Sequence, residues 1–456
     1  MKLFTRPKLR AVQAFLLFFV LLPSVSLLAK EELVYDSYTV ALREPSVLNP
    51  EIQRTHADHQ LAARILEQPF RPAGHAIGKS AEWVERHHID DKTIWFFDKL
   101  ALQGIFPSLH GPNEGSFGTT GIKGRIEIDR LLKMEQRSIS LNAFGAWAPS
   151  VHFGGSDVYV GTNYELTLPE ASWYHKGLVR YARSSSESFY GIGNDTSRGS
   201  WSTYQPEELK LEGTLGTKSI AGLDLNSAFT YQKMNIGNGA RPRVWKIKNR
   251  FLSQNIPGIN GGDLIGIKAH LSYDFRDRQD EPKSGGYGKL EIAYNHDTGG
   301  EDFQYLTLSG SLAHFFKLWS DRRVLAFRFL AETNQDLAGG DVPFFNMARL
   351  GGSKPWAGSE LLRSYRFNRF FDSSLTGGSV EYRYNVYQYG DFGANAFGLF
   401  DVGEVFDGIR DFSLGELVYS YGGGLDIKFR GKTLLTLALA HGNEGSEFEV
   451  NSKSSF

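Results

Sequence analysis

The sequence predicts an all-β fold, a transmembrane antiparallel β-barrel of about sixteen strands with a short N-terminal helical segment before it. Three observations predict this. Beyond residue 104, apolar and charged residues alternate at period two in segment after segment. No stretch after the N-terminus is long and apolar enough to span as a helix, and the chain opens on an export-type leader.

Composition agrees with these observations. Only 41% of the 456 residues are hydrophobic, while aromatics reach 13% and glycine numbers 50. A barrel places its apolar residues at every second position, so its mean hydropathy stays low. With no cysteine in the chain, a disulfide framework, a Cys-ligated metal site and a lipidated N-terminal Cys are excluded. A formal net charge of −1 gives no reason to expect nucleic acid as a partner.

Residues 1–29 read as a signal peptide. Lys2, Arg6, Lys8 and Arg10 form a basic region, Ala11 to Leu22 a short apolar core, and cleavage follows Ser26 or Ala29. The competing reading is an uncleaved anchor, and the shortness of the core favours the signal peptide. Export without cysteine or a later helix points to a Gram-negative envelope, so the expected location is the bacterial outer membrane. Residues 30–103 carry His56, His59, His75, His87 and His88 and little alternation. Within them Ser80 to Leu102 reads as an amphipathic helix, with Trp83, Val84, Ile94, Trp95, Phe97 and Leu100 apolar, Ser80 as N-cap and Gly104 as stop. Its expected role is a periplasmic lid, a lumenal plug or an interfacial anchor.

Residues 104–456 form the expected barrel. Ile122, Ile126 and Ile128 oppose Lys123, Arg125, Glu127 and Asp129. Further along, Val158, Val160, Tyr164 and Leu166 oppose Gly161, Asn163, Glu165 and Thr167. Leu290, Ile292 and Tyr294 oppose Lys289, Glu291 and Asn295, and Val380, Tyr382, Tyr384 and Val386 oppose Glu381, Arg383 and Asn385. A soluble barrel fills its interior with apolar side chains. So many charged faces suit a wet lumen instead, with the apolar faces against lipid. Closure follows, because hydrocarbon tolerates no open sheet edge. About fifteen such segments centre near 123, 143, 162, 178, 212, 228, 269, 291, 309, 328, 381, 398, 422, 437 and 451. Gly104 to His110 is a sixteenth candidate. Short and long connections alternate. One, Gln335 to Asp372, has no strand pattern, and a loop of that length in a compact domain is usually functional.

Three motifs then bring a family into view. Tyr273-Asp274-Phe275-Arg276-Asp277 precedes Pro282, Gly285 and Gly286. Leu350-Gly351-Gly352 precedes Leu362-Arg363-Ser364-Tyr365, and Glu381-Tyr382-Arg383-Tyr384 precedes Phe400-Asp401-Val402-Gly403. In order and spacing these resemble the bacterial surface antigen superfamily of outer-membrane barrels, the BamA/TamA type, and Phe189-Tyr190-Gly191-Ile192-Gly193-Asn194 is similar as well. The resemblance implies a sixteen-stranded barrel whose sixth external loop lies between the eleventh and twelfth strands. It implies that Arg363, with Ser364 and Tyr365 beside it, folds into the lumen and meets Glu381 and Asp401 on the wall. An arginine suits that place because its planar fork pairs with carboxylates bidentately. Asp274, Arg276 and Asp277 match the family's strand end; by themselves they read as a lumenal charge ladder. Ser364 stands where the family usually has Gly, and Ser452 and Ser454 interrupt the apolar alternation that precedes a terminal Phe such as Phe456. Residues 31–103 do not read as POTRA domains.

The sequence names no catalytic residue, metal ligand or cofactor. No G-x-S-x-G elbow occurs, neighbouring His87 and His88 point to different faces of a helix, and Gly191-x-Gly193 lacks the helix of a phosphate loop. A non-enzymatic barrel is expected, with outer-membrane lipid and client or other envelope proteins as partners. Two functions stay open. One, by resemblance, is assembly or translocation of proteins at the outer membrane. The other is a passive pore or structural barrel, whose permeability Lys123, Arg125, Glu127, Asp129, Lys289 and Glu291 would set.

Overall fold

The computed structural model describes the backbone of Ile105–Ser108, Gly121–Glu127, Ser138–Pro149 and Ser156–Leu168. It then describes residues 172–451, apart from a few positions in turns and loops. The expected signal peptide, the helical segment within 30–103 and Phe456 lie outside the described residues.

Among the described residues, sixteen strands follow one another as a meander. They are β1 (Ile105–Ser108), β2 (Gly121–Glu127), β3 (Ser138–Pro149), β4 (Ser156–Leu168) and β5 (Trp173–Arg183), then β6 (Ser202–Thr217), β7 (Leu223–Asn238) and β8 (Gly261–Asp274). After them come β9 (Gly285–Asp297), β10 (Gln304–Lys317), β11 (Arg323–Asp336), β12 (Ser374–Tyr389) and β13 (Phe392–Phe406). The last three are β14 (Val418–Phe429), β15 (Lys432–Gly442) and β16 (Gly445–Asn451). Each pairs antiparallel with the next, in one sheet. All fifteen expected segment centres fall inside a strand, and the sixteenth candidate is β1. Among the described residues no helix is long and apolar enough to cross a membrane; the α-helix they contain is the single turn Ile247–Arg250.

The two faces of the sheet sort by chemistry. Phe229, Ile267, Ile292, Phe400, Leu439 and Phe448 are exposed on one face. On the other, Lys268 bonds Glu212 at 3.1 Å, Arg180 bonds Glu208, and His270 faces Glu291 at 3.7 Å. A large apolar side chain left outside and an ion-pair ladder inside are the inverse of a soluble domain, and they fit hydrocarbon around a polar lumen. Alternation holds through Asn385 of β12. There a bulge between Asn385 and Tyr387 shifts the register against β13, because a bulge sets two residues against one.

Connections at one end of the strands run from two residues, as at 390–391, to ten, as at 275–284. At the other end residues 184–201, 239–260, 337–373 and 407–417 form long loops. The loops at this end hold an apolar core of Phe189, Tyr204, Ile236, Ile247, Phe251, Phe303, Phe344, Phe345 and Phe371, whose rings meet edge to face. The segment expected to lack strands, Gln335 to Asp372, contains two short ladders, Ala348–Leu350 with Phe370–Asp372 and Ser353–Lys354 with Gly358–Ser359. Runs of two or three residues carry too few alternations to show as a period.

Candidate functional site

Residues 337–373 connect β11 and β12, and their middle turns inward. Leu361, Leu362 and Tyr365 are buried with Leu350, Phe370, Leu375 and Val405. The wall is hollowed to receive them. A Cβ added to Gly377 would stand 2.5 Å from Leu361 Cδ1, and one on Gly403 would stand 3.1 Å from Leu350 Cδ1. Leu362 adopts φ = 63°, a left-handed conformation that a leucine takes only under constraint from its surroundings. That turn lets its carbonyl accept from Gly352 N at 3.1 Å and Tyr365 N at 2.9 Å, and it presents the next residue to the wall.

That residue is Arg363, 1% exposed. Its Nε donates to Asp401 Oδ2 at 2.9 Å and its Nη2 to Asp401 Oδ1 at 2.6 Å, a bidentate fork. Nη1 donates to Glu381, Nη2 also to Ser379 Oγ at 2.9 Å, and the backbone N–H of Arg363 reaches Asp401 Oδ2 at 3.1 Å. Both carboxylates are buried, at 2% and 0% exposure. Burial works against the charged guanidinium, but the fields of Asp401 and Glu381 more than offset it and hold its pKa above the ordinary arginine value. The wall completes the cluster. Ser379, Asp401 and Ser420 are register partners in one row across β12, β13 and β14, and both hydroxyls donate to Asp401, at 2.6 and 3.1 Å. Arg383 Nε donates to the second oxygen of Glu381 at 2.9 Å. Two arginines thus meet two carboxylates, and each of the four carboxylate oxygens accepts at least one hydrogen bond.

The structure therefore brings Arg363, Glu381 and Asp401 together. Ser364 and Tyr365 are buried next to them, at 2% each, with the Tyr365 ring 5.3 Å from Phe370. Ser364 packs on Gly442 at the end of β15, where an added Cβ would lie 2.2 Å from Ser364 Oγ. Asp274, Arg276 and Asp277 form a separate network at the short-turn end. Arg276 pairs with Asp274 through Nε at 2.9 Å and Nη2 at 2.7 Å, while Asp277 Oδ1 accepts the N–H groups of Lys283 and Ser284 at 2.9 and 3.2 Å. These bonds shape the connection from β8 to β9. From that connection Glu281 accepts from Asn395 Nδ2 and from Lys428 Nζ, both at 2.9 Å, and so joins the turn to β13 and β14.

Sequence reasoning also passed over Arg369. Its Nε reaches both oxygens of Glu444, at 2.8 and 3.1 Å, and its Nη1 donates to Thr196 Oγ1 at 2.8 Å. Gly193 N bonds Phe371 O at 2.8 Å, so the Phe189 to Asn194 stretch lies against the sixth loop. One loop is thereby tied to the wall, to the turn between β15 and β16, and to residues 184–201. Among the described residues no group of His, Asp or Glu side chains is arranged to hold a metal ion.

The geometry can be set beside known proteins. Among curated proteins, none matches this chain. BamA from Haemophilus ducreyi lacking POTRA domains 1-3 is similar at 14% identity and a TM-score of 0.51, over 76% of this chain and 67% of that one. CdiB from Escherichia coli and CdiB from Acinetobacter baumannii are 12% and 11% identical, with TM-scores of 0.46 and 0.42. Each of these two covers 74% of this chain, which spans 57% of their length. The BamA likeness is one of fold. The Omp85 superfamily domain matches residues 147–429, well over half of the chain; this protein belongs to the Omp85 superfamily and is a bacterial outer-membrane β-barrel.

Proposed function

We propose that this barrel inserts proteins into the outer membrane or passes them across it. The observation that carries the reading is the sixth loop, drawn inward and pinned at Arg363 to two buried carboxylates of the wall. Arg363 is shielded from solvent and paired with carboxylates, so it does not face a permeating solute as a selectivity residue of a pore would, whereas a barrel that must open and reclose needs an internal strut that restores its shape.

On this reading the seam between the first and last strands, β1 and β16, is where the barrel opens, since an unpaired strand edge is a template for an incoming strand. Clients would enter there by strand addition, which requires neither cofactor nor catalytic residue. Residues 30–103 would serve on the periplasmic side or in the lumen.

Depletion in the native host tests the proposal, with quantification of the other outer-membrane proteins and of small-solute uptake. Loss of one or more outer-membrane or exported proteins at unchanged uptake is the expected result. Reduced uptake with an unchanged set of proteins refutes it and identifies a pore.

A further inference from the structure

The long loops carry a cationic patch that the Arg363 cluster does not use. Residues 241–250 read Arg-Pro-Arg-Val-Trp-Lys-Ile-Lys-Asn-Arg, five cations and no acid in ten positions. Lys246 Nζ fastens this stretch by donating to the carbonyls of Gly239 at 2.5 Å and Arg241 at 2.7 Å. Trp245 and Lys246 run parallel to Ser202 and Thr203, which brings the stretch beside Trp201. The Trp201 indole is held by its Nε1 donating to Ser188 Oγ at 3.0 Å. The guanidinium carbon of Arg241 lies 4.8 Å from its ring centroid, and that of Arg366, from the sixth loop, lies 5.0 Å from it. Next to this group Arg250 stands 5.7 Å from the ring of Trp245, which is 59% exposed.

Two like charges are thus gathered on one ring by loops that are far apart in sequence. Burial and the field of Arg366 lower the pKa of Arg241 from its ordinary value, a sign of charge repulsion held in place by the fold. No acidic side chain pairs with Arg366, Arg243 or Arg250 among the described residues. The Arg363 cluster, in contrast, has a carboxylate for each guanidinium. Cation–π contact fixes the two guanidiniums in direction, and Arg366 keeps an N–H edge with donors to offer.

We infer that Arg241, Arg366 and Trp201, with Arg250 and Trp245 beside them, form a binding site for a phosphate-bearing sugar headgroup. Arginine forks suit phosphate oxygens bidentately, and an exposed indole offers a flat apolar face for a sugar ring. The long loops of such barrels border the external leaflet. A phosphorylated glycolipid of that leaflet and a soluble sugar phosphate present the same chemistry. Because Arg366 lies three residues beyond Arg363, an occupied site would neutralise the repulsion with Arg241 and hold the sixth loop against residues 184–201 and 239–260. The inference does not depend on the assembly reading.

The test uses the full chain, folded in a zwitterionic detergent. It is titrated calorimetrically with a lipid whose disaccharide headgroup carries phosphate monoesters, with the dephosphorylated lipid and with glucose 1-phosphate. Binding of the phosphorylated lipid alone supports the site and assigns it to the membrane; binding of glucose 1-phosphate as well supports it and admits soluble saccharides. Arg366→Gln and Arg241→Gln should each weaken binding about tenfold or more, and Arg366→Lys should weaken it less. Equal affinity for the phosphorylated and dephosphorylated lipids overturns the site, as does unchanged affinity in the Arg241→Gln, Arg366→Gln double variant. Should that double variant not fold, Arg243→Gln with Arg250→Gln at exposed positions and the salt dependence of the unaltered protein decide. Binding that ignores both refutes the inference.

Discussion

Arg363→Ala is the sharpest perturbation the structure offers. It removes at least four side-chain hydrogen bonds, two to Asp401 and one each to Glu381 and Ser379. The two carboxylates left behind are not equally stranded. Glu381 keeps Arg383 at 2.9 Å, whereas Asp401 keeps only hydroxyl and backbone donors and no cation. Removing one partner of a buried pair costs about 3–5 kcal/mol, mostly through the charge left unpaired. The remaining donors place this variant near the lower end, at about 3 kcal/mol. Arg363→Lys keeps a charge but has no fork to span Asp401 and Glu381, so it should fall between the variant and the native chain. In the Arg363→Ala, Asp401→Asn double variant no charge is stranded on β13. Its loss should be smaller than the sum of the single losses by about 1–3 kcal/mol. Folded barrels migrate faster than unfolded ones in mild detergent gels, and the urea concentration that abolishes the fast form gives each stability. A midpoint for Arg363→Ala equal to that of the native chain, or strict additivity in the double variant, refutes the reasoning.

The other predictions address the faces, the loop and pH. Phe229→Arg puts a charge on the lipid side and should cost about 2–4 kcal/mol, while Lys268→Arg on the lumenal side should be nearly neutral in the same gel assay. Arg369→Ala frees Glu444, and hydrogen exchange at residues 443–447 should rise while that of β9 and β10 stays unchanged. Asp372, in the short ladder before β12, has its pKa raised from 3.8 to about 6, by burial first and then by the charges of Asp407 and Asp411. Between those two pH values the folded state binds more protons than the unfolded one, so its contribution is fully present below pH 3.8 and is lost as pH rises through about 6. Asp372→Asn should therefore stabilise the protein at pH 7 to 8, by about 3 kcal/mol at most, and should flatten the urea midpoint between pH 4 and 7; a native-like pH profile refutes this.

The strands were legible because lipid and lumen impose opposite chemistry on alternate residues, and that alternation is local. The wall partners of the sixth loop were legible for a different reason, since Leu362-Arg363-Ser364-Tyr365 and the strands after it resemble those of a family. What stayed hidden depends on register and on distance. Ser379 and Ser420 meet Asp401 only because β12, β13 and β14 align in one row, and the bulge at Asn385 makes that row impossible to count out from the turn. Arg369 and Glu444 lie 75 positions apart, and Glu281 and Lys428 lie 147 apart. No periodicity carries such pairs. The Asp274 to Asp277 motif was visible in the sequence, but its bonds to Lys283 and Ser284 depend on the path of the turn.

Ser364 shows how the site accommodates a departure from the family pattern. At this position glycine permits close approach of the loop to the wall, and a serine adds a Cβ and a hydroxyl. The wall supplies the missing space, because the residue opposite is Gly442, where any Cβ would lie 2.2 Å from Ser364 Oγ and 2.7 Å from the carbonyl of Tyr419. The contact thus requires one small residue between loop and wall, and in this chain the wall has it. The exchange has a cost. Ser364 Oγ is buried without a hydrogen-bond partner, a loss of about 1–3 kcal/mol where water is excluded. The loop stays seated because its anchors are spread along it: Leu361 on Gly377, Arg363 on Asp401 and Glu381, and Arg369 on Glu444 and Thr196. A hydroxyl without a partner is outweighed by these neighbours. The family motif is therefore better understood as a set of anchors around Arg363 than as a string of four letters, and a serine within it leaves the lumenal position of the arginine intact.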